Sequence, residues 1–171
     1  MRKALEKILE AAKQNLVNNG YIYPVSFIFK AGQLVKIMPL SYEANECNDS
    51  KGINAYAAGI AASLFEGDYV AMVWDAAFRS LPSDTKPEDI DATEAPLTYP
   101  KSMRTECIVV FGVSVTNDHE DIVMAPYKGG EGEPVEFIKV KNLPPETVFK
   151  HRFSEIIRKG YAAHREKVTG R

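Results

Sequence analysis

The sequence predicts a single α+β domain on a predominantly antiparallel sheet of about six strands with three helices. Two segments, 69–78 and 107–115, are apolar at both alternations of a strand, which marks them as mid-sheet strands covered on each side. Three segments repeat apolar residues at helical spacing, and short polar or glycine-rich turns join the remaining strand-like runs.

Along the chain, Leu5, Ile8, Leu9, Ala12 and Leu16 mark a first helix over 2–18, stopped by Asn18, Asn19 and Gly20. Runs 25–30 and 34–40, split by Lys30, Ala31, Gly32 and Gln33, read as a β-hairpin. In the second helix, Ile53, Tyr56, Ala57, Ile60, Ala61 and Leu64 form an apolar stripe, while Ala55, Ala58, Gly59 and Ala62 make the rest of the surface apolar too. Such a helix is expected in the interior against the sheet, its small residues allowing close approach to a neighbouring backbone.

In strand 69–78, Val70, Met72, Trp74, Ala76 and Phe78 share one face, and Ala71, Val73, Asp75 and Ala77 the other. In strand 107–115, Cys107, Val109, Phe111, Val113 and Val115 oppose Ile108, Val110, Gly112 and Ser114. Strands 122–127 and 135–140 continue an antiparallel meander. Pro144 and Pro145 then open a last helix striped by Phe149, Phe153, Ile156, Ile157 and Tyr161. The expected order is α-β-β-α-β-β-β-β-α.

At 171 residues the chain suits one domain. Its net charge of −2 gives no global field toward nucleic acid, which is not an expected partner. The charge is nonetheless bipolar. Residues 41–100 hold 11 acids against 3 bases, whereas residues 150–171 hold 7 bases against 2 acids. Two cysteines, a charged N-terminal segment without a signal-like apolar run, and no apolar stretch of spanning length lead to the expectation of a cytoplasmic, non-membrane protein. Segment 81–103, with Pro82, Pro87, Pro96 and Pro100 among five acids, is long for a loop and reads either as a partner-binding arm or lid, or as loosely packed chain.

Chemistry-bearing residues are few. Asp75 stands in a row of Ala71, Val73 and Ala77, where a carboxylate needs a partner. Arg79 shares its face, and Arg104 and Glu106 share a face at the start of the following strand, so the four are expected to gather at the root of segment 81–103. Asp75, Arg104 and Glu106 are the candidate site. They suit acid–base work or an anionic ligand, against the plainer reading of an ion pair at a sheet end.

Asn117, Asp118, His119, Glu120 and Asp121 match no calcium or zinc spacing and read as a solvated turn, so no metal is expected. His151 and His164 carry no ligand motif. Lys128 to Glu133 is a glycine-rich hairpin loop rather than a phosphate cradle, since no helix follows and its two glutamates repel anions. Cys107 reads as a small core hydrophobe, and Cys47, among acids, as a poor nucleophile. No cofactor and no catalytic dyad are expected. The leaning is therefore toward a non-enzymatic module that binds a protein partner or itself, the bipolar charge being compatible with a homo-oligomer. A small enzyme or anionic-ligand-binding domain is the alternative.

The run Ala71-Met72-Val73-Trp74-Asp75-Ala76-Ala77-Phe78, the proline-rich insertion, and Arg104-Thr105-Glu106-Cys107-Ile108-Val109-Val110 together resemble small uncharacterised proteins of bacterial and phage genomes. The resemblance implies a prokaryotic or phage accessory protein and brings no activity with it. Where those proteins carry a glutamate and a tryptophan in the first run, this chain has Asp75 and Ala77. The element order is also similar to that of profilin-like and roadblock-like modules, an analogy of fold that licenses no function.

Overall fold

The computed structural model describes residues 1–40, 50–79, 104–130, 132–139 and 147–170. Its elements follow the expected order: α1 (Arg2–Asn19), β1 (Val25–Lys30), β2 (Gln33–Pro39), α2 (Ser50–Leu64), β3 (Tyr69–Arg79), β4 (Arg104–Ser114), β5 (Glu120–Gly130), β6 (Glu133–Phe137) and α3 (Thr147–Thr169). Segment 81–103, Cys47 and Pro144–Pro145 lie outside the described residues.

Helix α1 forms because Leu5, Leu9, Ala12 and Leu16 place one apolar stripe on the sheet. It ends at Gly20, whose left-handed φ of 77° lets its N–H reach Leu16 O at 2.8 Å. The β1–β2 turn is tight, with Ala31 and Gly32 both at positive φ. Asp68 Oδ2 accepts the Ala31 N–H at 2.8 Å, which anchors the turn to the chain entering β3.

The six strands form one antiparallel sheet in the order β2-β1-β3-β4-β5-β6. As their two apolar faces require, β3 and β4 lie at its centre. α1 covers one face over β3, β4 and β5, where Leu5, Leu9, Leu16, Val73, Ile108 and Val110 are buried together. α2 and α3 lie on the other side, over Ile28, Met72, Trp74, Val109 and Phe111. Trp74 locks this layer, its ring 5.2 Å from that of Phe153 and 6.4 Å from that of Phe111.

α2 is expected in the interior against the sheet, but only one of its sides is covered. Gly52, Ala55, Ala58, Gly59, Ala61, Ala62 and Ser63 are its buried residues, whereas Ile53, Tyr56 and Leu64 face outward. Close approach decides this arrangement. A methyl at Gly59 would collide with Ile157 O, and one at Gly160 with Tyr56 O, so α2 and α3 pack nearly backbone to backbone. Ser63 Oγ and His164 Nδ1, 2.9 Å apart, tie the far ends of the pair. The small-residue face does approach a neighbouring backbone, but that neighbour is chiefly α3.

Both outer strands are guarded against pairing. β2 carries a register shift opposite Ile28 and Phe29 together with Lys36 and Pro39, and β6 carries Glu133, Pro134 and Glu136 beside a shift at Lys128 and Gly130.

Candidate functional site

β3 outruns its neighbour. β1 pairs with it only as far as Val25 opposite Val73, so Asp75 lies beyond β1 and pairs through the backbone with Ile108 of β4 alone. On the α1 side of the sheet, Glu106 of β4 lies between Ala77 of β3 and Tyr127 of β5, one diagonal step from Asp75. The Tyr127 hydroxyl crosses to Asp75 and donates to Oδ2 at 2.9 Å.

The electrostatics follow from this packing. Burial, followed by the charge of Asp75 and the bond to it, and then by Glu106, pushes the Tyr127 phenol well above its ordinary value. Asp75 keeps one flank open to solvent, yet its carboxyl is partly desolvated over the sheet. That burial raises its pKa, Glu106 adds to the rise, and the Tyr127 hydroxyl and Lys51 oppose it. Lys51 stands on the other side of the strand. Its ammonium donates to Asp75 O at 3.3 Å and lies 5.8 Å from the centre of the Trp74 ring, and burial lowers its pKa. Lys51 thus satisfies a carbonyl on the unpaired stretch of β3.

Two of the three candidates, Asp75 and Glu106, therefore come together. Arg104 pairs with Arg79 through the backbone, and both side chains lie outside the described residues. The residue that sequence reasoning missed is Tyr127. Its only signal was parity, since it falls on the same face as Glu106 once β5 is in register. Chemically the cluster is a pair of carboxylates sharing a phenol, a setting that repels anions more than it grips them.

Cys107 is fully buried, and burial pushes its thiol up to about 12, which leaves it unreactive. In the turn before β5, Asn117 Oδ1 accepts the His119 N–H at 2.9 Å, and His119 Nε2 lies 2.9 Å from Asp121 Oδ2. Among the described residues no group of three His, Cys, Asp or Glu side chains gathers at metal-binding distance. No described helix is long and apolar enough to cross a membrane.

A second feature is the outward stripe of α2. Ile53 is 58% exposed, Tyr56 40% and Leu64 59%, with Ala57 and Ile60 half-buried between them. From Gly52 to Phe65 the chain carries no charge, so the stripe is wholly neutral. A smaller apolar strip, with Leu34 and Ile37 exposed, lies on the α1 side of β2, where α1 does not reach. No family model, curated protein or solved structure matches the chain.

Proposed function

We propose that the chain is a non-enzymatic protein-interaction module, an accessory protein of a bacterium or phage, whose docking surface is the outer face of α2. One observation carries the reading. A helix apolar on every side is ordinarily buried on every side, yet here the larger side chains, Ile53, Tyr56 and Leu64, are the ones left in water. The opposite assignment, with the large residues inward, would have buried more apolar area in the isolated chain. Placing the small residues inward and the large ones outward suits a helix that acquires a second neighbour.

The test compares the chain with an Ile53→Asp variant by affinity capture, followed by identification and quantification of what is retained and by light scattering of the eluate. A specific companion, whether another protein or the chain itself, that is lost with Ile53→Asp supports the reading. A monomeric mass together with no companion sensitive to Ile53→Asp overturns it.

The second reading, a small enzyme or ligand-binding domain, rests on the 2.9 Å bond from Tyr127 to Asp75. A polar group held beside a raised carboxyl in a partly open position is the kind of setting that acid–base chemistry uses. The two carboxylates favour a cationic or neutral ligand over an anionic one. Unchanged melting shifts in a ligand screen on substituting Asp75→Asn and Glu106→Gln would remove this reading.

A further inference from the structure

We propose that the Lys51 amine is a covalent acylation site, which takes a small acyl group from an activated donor, an acyl phosphate or a thioester, and holds it as an amide.

Place in the fold is the first argument. Lys51 is the second residue of α2 and the only charged residue in that helix. The first turn of a helix carries unpaired backbone N–H groups and gathers partial positive charge, so an ammonium there is set against the dipole. The side chain is half-buried. Its Nζ lies 5.8 Å from the centre of the Trp74 ring and donates to Asp75 O at 3.3 Å. Trp74 is itself buried, with the Phe153 ring 5.2 Å away. The amine thus rests between an aromatic ring and a backbone carbonyl, neither of which bears a formal charge.

The carboxylate of Asp75 favours the ammonium from a distance, but it is bonded to the Tyr127 hydroxyl on the other side of the sheet. Desolvation outweighs it, and burial lowers the pKa of Lys51. A half-buried lysine also keeps one flank open, so a small donor can reach it.

Chemistry is the second argument. The neutral amine is the nucleophile. One N–H keeps the bond to Asp75 O while the lone pair attacks the carbonyl carbon of the donor. An N–C bond forms, and the C–O bond of the acyl phosphate or the C–S bond of the thioester breaks. The leaving group departs with the bonding electrons as phosphate or thiolate, and one amine proton passes to solvent. Nothing is oxidised or reduced.

The product selects the acyl group over other electrophiles. An amide retains an N–H for Asp75 O and puts no charge at the start of α2 or beside Trp74. A carbamate from carbon dioxide would add a second anion near Asp75, and a neutral imine would leave Asp75 O without its donor. Acylation also makes α2 uncharged along its whole length.

The experiment treats the full chain near neutral pH with limiting acetyl phosphate in one arm and a simple acetyl thioester in the other. Mass spectrometry of proteolytic peptides follows acetylation at each lysine with time, with exposed Lys7 and Lys159 as references. Lys51 acetylates several-fold faster than either reference, and the arm that shows this identifies the donor. In urea the three rates become equal, because the site no longer exists. Asp75→Asn, confirmed as folded by circular dichroism, speeds Lys51 further and leaves Lys7 and Lys159 unchanged, since the charge that favours the ammonium is gone. A Lys51 no faster than the references with both donors overturns the proposal. So does an advantage that persists in urea, or a Lys51 slowed by Asp75→Asn.

Discussion

The Tyr127 hydroxyl donates to Asp75 Oδ2 at 2.9 Å, spanning β4 to join residues on strands two places apart in the sheet. Tyr127 is otherwise buried, so removing the hydroxyl leaves its ring packed and takes away the bond to Asp75 together with the contact to Glu106. Tyr127→Phe should cost about 1 kcal/mol, the usual worth of one such bond to a group that water still reaches. Urea unfolding measures it. An unchanged midpoint would mean that the bond contributes nothing to stability.

Asp75 also sets a pH dependence. Burial and Glu106 hold its carboxyl above the ordinary value, so between that value and its folded one the native state binds more protons than the unfolded chain. Its influence is most favourable below about pH 3.9 and is lost as pH rises through the folded pKa. Asp75→Asn, which imitates the protonated form and still accepts from Tyr127, should match the parent at about pH 3 and exceed it in denaturant midpoint at about pH 7. A variant less stable than the parent at neutral pH contradicts this account.

Ser26 is fully buried on β1, and among the described residues its hydroxyl has no hydrogen-bond partner. An unsatisfied buried hydroxyl carries a desolvation cost with no return, so Ser26→Ala should stabilise the fold by about 1 kcal/mol. Thermal unfolding followed by circular dichroism decides it, and a clear loss of stability would show that the hydroxyl has a partner in solution.

Gly59 allows α2 to reach the backbone of α3. Its replacement by alanine drives a methyl into Ile157 O, which cannot move aside as a side chain could. The expected loss is about 3 kcal/mol, the upper range for overpacking a well-fitted contact. Gly20→Ala, in open space but at positive φ, should cost only about 1 kcal/mol. Equal losses at the two positions would argue against backbone-close packing of the helices.

The fold was largely legible because β3 and β4 could not be anything but central strands. Rows such as Val70, Met72, Trp74 and Ala71, Val73 need cover on both sides, and that need placed helices on both faces. What the pattern did not reveal was the orientation of α2. Apolar periodicity ranks Ile53, Ile60 and Leu64 above Ala58 and Gly59, but the packing is decided by how closely α2 can approach α3, a property of the partner's surface as well as its own. The candidate site was half legible for a similar reason. Asp75 and Glu106 announced themselves as charges at the ends of apolar strands, whereas Tyr127 joins them only through a strand register that no local pattern encodes.

The most direct measurement is the molar mass of the chain by light scattering at high concentration, beside that of Ile53→Asp. A parent that carries mass beyond its 19.0 kDa chain, from another protein or from a second copy, with the variant at the single-chain value, is the predicted result. A parent and variant both at 19.0 kDa, with no companion protein bound through Ile53, would contradict the claim that the outer face of α2 is a docking surface.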